Sequence, residues 1–262
     1  MKNIEYFNNL KNKELFSSLV VYDATFSRLA NDAGVDILVV GDSLAMNIQG
    51  AKTTIETNVE NIIYHTKAVV KGNYEAFIIA DMPAFSYVNK NCAIKNASRL
   101  IKAGVPMIKI EGGENWTIDI IKNLTEMGIS ICGHLGLTPQ YYHKLGGHKV
   151  QGKTDSDKER IFNQAMLLQE AGIEMLVLEC VPEDLGKSIT KSLSIPVFGA
   201  GAGRFLDGQV LLAYDVLGLT GTRLKFAKNF ISDCNSPLEA FSNFSQHVKR
   251  NLFPTENHVF IY

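Results

Sequence analysis

Short apolar runs recur along the chain, and each stops abruptly at polar residues. Ile37 to Val40 of DILVVGDSLAMNIQG is too short for a helix and β-branched enough for a buried parallel strand. Gly41, Asp42 and Ser43 follow at once. Alternation across a strand, carried on through Gly41, predicts Asp42 on the face of Leu38 and Val40. FIIAD likewise puts Asp81 in step with Phe77 and Ile79. MIKIE puts Glu111 in step with Met107 and Lys109, and MLVLE puts Glu179 in step with Met175 and Val177. Four apolar runs therefore end in a carboxylate.

Between these runs the apolar spacing is helical. Helices are predicted over Ala24 to Asp32, Asn58 to Val70 and Cys92 to Ala103, with a first strand over Leu19 to Tyr22 ending in Asp23. AGVDILVV, AGVPMIKI, MGISICGH and AGIEMLVL repeat one unit, a helix closed by a left-handed Gly and followed directly by a strand. Strands near residues 20, 38, 78, 108, 131, 176, 197 and 211 alternate with helical segments about thirty residues apart, as a (β/α)8 barrel requires. The eighth, Val210 to Tyr214, has the faintest pattern. A doubly wound sheet shares the alternation, and the barrel is the preferred fold. The expected organisation is one barrel domain over 1–262, with a helical lead-in and a helical tail from Phe226 to Tyr262.

Composition narrows the partners. At 262 residues and 46% hydrophobic the chain can bury one large core, and no Pro, Gly or Ser-rich linker divides it. A net charge of −1 without a basic cluster argues against nucleic acid and anionic membranes, which leaves a small molecule. No secretory leader or membrane-length run is evident, so a cytoplasmic protein is expected. Cys92, Cys132, Cys180 and Cys234 lack ligand spacing and read as reduced core thiols. His65, His143, His247 and His258 lack metal spacing too, and Trp116, at a helix start, reads as packing.

In a barrel the strand C-termini open on one mouth, so Asp42, Asp81, Glu111 and Glu179 are expected to converge. Two carboxylates about 5 Å apart repel by roughly 3 kcal/mol at an effective dielectric of 20. Lys109 supplies one cation, too few for several acids. An all-oxygen donor set points to Mg2+ rather than Zn2+. Any one of these acids alone reads as readily as a solvated strand end; four in phase shift the balance.

Three other signals compete. GDSLA, with Ser43, Asp81 and His134 in order, resembles a serine-hydrolase elbow but has Ala45 where the final Gly belongs. An inward Lys109 also suits a Schiff-base aldolase. GAGAG at Gly199 to Gly203 fits a phosphate loop or close backbone packing.

Taken together, VGDSLAMNIQG, ADMP, MIKIEGG, CGHLGLTPQ, KVQG, LVLECVP and KFAKNF resemble the ketopantoate hydroxymethyltransferase family from about Val20 to Phe230. The resemblance implies a Mg2+-dependent barrel of the phosphoenolpyruvate/pyruvate type, with 5,10-methylenetetrahydrofolate as co-substrate. It also implies a homo-oligomer, often of ten subunits. By motif, Asp42, Asp81 and Glu111 match the metal-site acids, and Ser43 and Lys109 match residues that hold the oxo acid. Glu179 matches the general base of an enolate mechanism on 3-methyl-2-oxobutanoate, and His134 and Tyr22 match the surroundings. A related Mg2+-dependent oxo-acid lyase or a metal-binding pseudoenzyme are the alternatives. The chain departs from the family pattern at Ala45, at His148, and in the shortened stretch GTRLKFAKNF, departures that bear on loop closure or folate contacts and not on the metal-site acids.

Overall fold

The computed structural model describes residues 1–221 and 223–262; Thr222, inside the shortened stretch GTRLKFAKNF, lies outside the described residues. Eight parallel strands close into a barrel in sequence order, β1 to β8: Phe16–Val20, Ile37–Val40, Phe77–Asp81, Met107–Glu111, Ile131–Gly136, Met175–Glu179, Val197–Ala200 and Gly208–Leu212. The helices are α1 Ile4–Leu10, α2 Ala24–Asp32, α3 Leu44–Asn47, α4 Val59–Gly72, α5 Lys90–Lys102, α6 Asn115–Glu126, α7 Tyr142–Leu145, α8 Asp155–Glu170, α9 Glu183–Ser192, α10 Ala213–Val216 and α11 Pro237–Lys249. Among the described residues no helix is long and apolar enough to cross a membrane.

Register fixes which residues face the barrel axis. Phe16, Phe77 and Phe198 start the layer: Phe7 of α1 packs edge-on against Phe16 and Phe77 at ring distances of 5.2 and 5.6 Å, and Phe16 meets Phe198 at 5.6 Å. Aromatic rings thus plug the base. Following the pairing from Ile79 to Met107, Asp81 to Lys109, Glu111 to His134 and Gly136 to Glu179 carries this same inward face round to the acids at the top. The alternation read for FIIAD, MIKIE and MLVLE holds.

For Asp42 the location is right and the reason is not. Val39, not Leu38 or Val40, pairs with the inward-facing Val20 and Ile79. The strand ends at Val40, and Gly41 turns the backbone inward: a Cβ there would lie 2.9 Å from Ser43 Oγ and 3.6 Å from Asp81 Oδ2. A turn, not strand alternation, delivers Asp42.

Two strand boundaries also differ. β1 spans Phe16–Val20 rather than Leu19 to Tyr22, because Asp23 leaves the sheet to cap α2, its Oδ1 accepting the N–H groups of Thr25 and Phe26 at 2.8 and 2.9 Å. β8 begins at Gly208 rather than Val210, and the chain turns into α10 at Ala213. A Cβ at Gly208 would stand 2.5 Å from the Phe16 ring, so the strand opens on a residue with no β-propensity of its own.

Candidate active site

At the mouth, buried Asp81 is the hub. Its Oδ2 accepts the Asp42 N–H and the Lys109 ammonium, both at 3.0 Å, while Oδ1 is buried with no partner. Lys109 Nζ lies 3.7 Å from Glu111 Oε1 and 3.3 Å from His134 Nδ1. An ammonium has no lone pair, so the His134 Nδ1 proton goes to Glu111 Oε1 at 3.1 Å. On the other side of the ring, His134 Nε2 is 3.3 Å from Glu179 Oε2, too oblique for a formed hydrogen bond. Glu179 is the most open of the acids, its side chain 25% exposed.

Charge explains the protonation states. Burial, then Glu111 and Asp81, push the Asp42 carboxyl well above its ordinary range, against weaker help from Lys109 and Gln140. Burial raises Asp81 as well, with Lys109 opposing. Burial also works against the charge on Glu111, yet His134, Lys109 and the Gln140 N–H hold that carboxyl below its usual value. Burial and the Lys109 cation pull His134 down, but Glu111 and Glu179 outweigh them and push it up to about 9. These acids therefore favour the imidazolium form. Burial opposes the charge on Lys109, and Asp81, Glu111 and Asp42 overcome it, so its pKa rises.

Ser43 and Tyr22 form a neighbouring pair, their hydroxyls 2.8 Å apart, with Asn47 Nδ2 donating to Tyr22 at 3.3 Å. Burial raises the Tyr22 phenol, which stays neutral. The Ser43 hydroxyl thus bonds to Tyr22, while His134 bonds to Glu111. That division leaves no Ser–His pair for a hydrolase elbow. Lys109 is held in an ion pair with Asp81 at 3.0 Å, which favours the ammonium over the free amine that a Schiff base needs. In GAGAG, a Cβ on Gly199 would sit 2.0 Å from the Leu178 carbonyl oxygen and one on Gly203 3.0 Å from the Glu183 backbone, which supports the close-packing reading.

The sequence reading missed Gln140 and Tyr87. Gln140, in the single turn Pro139–Tyr141 after β5, donates Nε2 to Asp42 Oδ2 at 2.8 Å and to the Met82 carbonyl at 2.9 Å. Its backbone N–H donates to Glu111 Oε2 at 3.1 Å. The Tyr87 hydroxyl donates to Gln140 Oε1 at 2.6 Å and lies 3.2 Å from the Glu111 carbonyl. The one signal for Gln140 was its place in CGHLGLTPQ. Trp116, read as packing, stacks on Tyr87 at 5.9 Å and 15°, yet stays 44% exposed.

The donor set suits a hard cation, although among the described residues no three His, Cys, Asp or Glu side chains form a ready-made metal cage. The reason is visible in the hydrogen bonds: Gln140, Lys109 and His134 each engage an acid oxygen. Among the described residues, Asp42 is hydrogen-bonded only through Oδ2 and Asp81 only through Oδ2, so each keeps one oxygen for a ligand. A buried carboxylate oxygen without a partner is costly unless something positive meets it, and an all-oxygen pair fits Mg2+ chemistry.

Comparison of the sequence with known proteins points to one family, and comparison of the structure points to a shared fold. A model of ketopantoate hydroxymethyltransferase matches residues 1–256. The chain is 46% identical over 250 residues to 3-methyl-2-oxobutanoate hydroxymethyltransferase of Buchnera aphidicola subsp. Acyrthosiphon pisum (strain APS), covering 95% of each chain. Its fold matches phosphoenolpyruvate phosphomutase from Streptomyces platensis subsp. rosaceus with a TM-score of 0.64 at 13% identity, over 95% of this chain and 99% of that one. It also matches phosphonopyruvate hydrolase, solved in complex with oxalate and Mg++, with a TM-score of 0.61 at 11% identity over 80% of each chain. The chain belongs to the ketopantoate hydroxymethyltransferase family.

Proposed function

We propose that the chain moves a one-carbon unit from 5,10-methylenetetrahydrofolate to 3-methyl-2-oxobutanoate, with water completing the hydroxymethyl group of 2-dehydropantoate. The observation that carries the reading is the partnerless Asp81 Oδ1 beside Asp42, at a mouth that also holds Lys109, His134 and Glu179. Asp42 and Asp81, with Glu111 behind them, would hold Mg2+, which supplies Lewis-acid polarisation of the substrate's keto oxygen.

The remaining steps belong to the chain's own groups. Lys109, kept cationic by the acids around it, receives the substrate carboxylate, with Ser43 and its Tyr22 partner alongside. Glu179, the acid most open to the mouth, takes the proton from C3, with His134 Nε2 3.3 Å from its Oε2. The C3 electron pair then attacks the methylene carbon of the donor as one of its two C–N bonds breaks toward nitrogen; water displaces the second nitrogen, leaving the hydroxyl on the transferred carbon and tetrahydrofolate, which keeps the protons, as the other product. The family resemblance extends the reading to a cytoplasmic homo-oligomer.

Glu179→Gln is the direct test. The variant is expected to bind Mn2+ and oxo acid as the wild type does and to lose exchange of the C3 hydrogen with solvent, followed by proton NMR in D2O. Normal exchange in that variant removes Glu179 from the role.

A further inference from the structure

We infer that Gln140 is a positioning residue for the divalent cation: it ties down one oxygen of Asp42 and leaves the other for the metal. The inference rests on the metal-dependent reading proposed above.

The amide orientation follows from its neighbours. Nε2 faces two acceptors, Asp42 Oδ2 and the Met82 carbonyl, and Oε1 faces the Tyr87 hydroxyl. Flipping the amide would press its oxygen against two oxygens, so only one orientation is satisfied. With the backbone N–H on Glu111 Oε2, a single residue after β5 ties together the ends of β2, β3 and β4. Its anchor is firm: Tyr87 is 3% exposed and stacks on Trp116.

Asp42 needs such a clamp. It sits in a turn rather than in the ladder, and its side chain is not fixed by strand pairing. Lys109 is close enough to bear on its charge. Released from Gln140, the carboxylate is free to rotate onto that ammonium, which would set an internal ion pair in competition with the cation. Clamped, it keeps one oxygen without a hydrogen bond among the described residues, on a residue whose backbone N–H already holds Asp81 Oδ2. The role is orientation of a ligand by its hydrogen-bond partner, in which mutation characteristically costs 10- to 100-fold in metal affinity.

The experiment is Mn2+ titration of the chelator-treated full chain, with free Mn2+ read by electron paramagnetic resonance. Gln140→Leu is expected to weaken Mn2+ binding by about 10- to 100-fold while keeping a cooperative thermal unfolding transition. Tyr87→Phe, which removes the anchor and keeps the ring, is expected to weaken it by about threefold or more. If Gln140→Leu does not fold, Tyr87→Phe decides. Mn2+ bound equally well by wild type and variants overturns the inference and leaves the metal-dependent reading standing. A wild-type chain that binds no Mn2+ overturns both.

Discussion

Strand β2 has a buried aspartate near each end, and the fold treats the two differently. Asp36, just before the strand at the barrel base, is saturated: the Ser17 N–H and hydroxyl donate to Oδ2 at 2.9 and 3.1 Å, and Lys2 and Lys249 reach the carboxylate at 3.1 and 2.9 Å. Asp207, just before β8, is equally well served, by Lys11 at 2.7 Å and by the N–H groups of Asn12 and Val197 at 3.1 and 2.8 Å. Asp42 and Asp81 at the mouth bear on each other's charge together with Glu111, and among the described residues each has one oxygen without a hydrogen bond. The base acids, by contrast, have both oxygens engaged. A cavity of about 840 Å³ lies at the base, lined by Asp36, Asp207, Lys187 and Lys191 among others. Volume there does not mark the chemistry, because the acids around it are already compensated.

The largest expected effect separates the two ends by activity. Asp81→Asn removes a mouth carboxylate and is expected to cut turnover of 3-methyl-2-oxobutanoate by at least about 10³-fold, near 4 kcal/mol of transition-state stabilisation. The same change takes the nearest carboxylate from the buried Lys109, which keeps Glu111 at 3.7 Å, so the unfolding midpoint is expected to fall as well, by less than the loss of activity. A steady-state assay beside a urea melt reads both. Full activity would place the mouth acids with those of the base.

Lys11→Met makes the opposite cut. It strands Asp207 without its cation and is expected to cost about 3 kcal/mol of stability, while kcat at 25 °C stays at the wild-type value. Urea unfolding of the variant measures the first and a saturating assay the second. A fall in kcat with no loss of stability would tie the base to the chemistry.

Added Mg2+ sharpens the contrast further. At about 100 times its dissociation constant it should stabilise the wild-type chain by about 2.7 kcal/mol, and Lys11→Met by the same amount. Asp81→Asn should gain nothing. Thermal melts with Mg2+ and with chelator settle it, and equal stabilisation of Asp81→Asn would move the ion elsewhere.

Much of this architecture can be read in the residues themselves. Strand order and helix positions follow from period and from glycine-closed helices, and the inward phase of Asp81, Glu111 and Glu179 follows from alternation. Even the base and mouth are distinguishable in a parallel barrel, since an acid before a strand and one after it stand at opposite ends; Asp36 and Asp42 fit that rule. What stayed hidden was made by loops. Asp42 points inward through the Gly41 turn, against the alternation of its own strand. Gln140 and Tyr87 carry no charge and sit on none of the strands, so only the closed ring reveals that an amide and a phenol bridge three strand ends. β8 opens on a glycine because the Phe16 ring fills the space a side chain would need.

The smallest effect asks whether an unused oxygen is enough to mark a site. Asp215 in α10 has a buried Oδ2 with no partner among the described residues, but Thr220 donates to its Oδ1 at 2.7 Å and burial, not another acid, acts on its charge. Burial raises its carboxyl above the usual aspartate value, with Thr220 pulling the other way. Between the unfolded value, near 3.9, and that raised folded value the native chain binds more protons than the unfolded one. The ionised group therefore costs stability at high pH, and the cost fades as pH falls through this window. Asp215→Asn is expected to raise the urea midpoint slightly at pH 8, the gain shrinking to nothing toward pH 4, with turnover unchanged. A collapse of activity in that variant would show that a lone unpaired acid suffices; unchanged turnover would locate the chemistry in the crowding of Asp42, Asp81 and Glu111, where three acids compete for two cations.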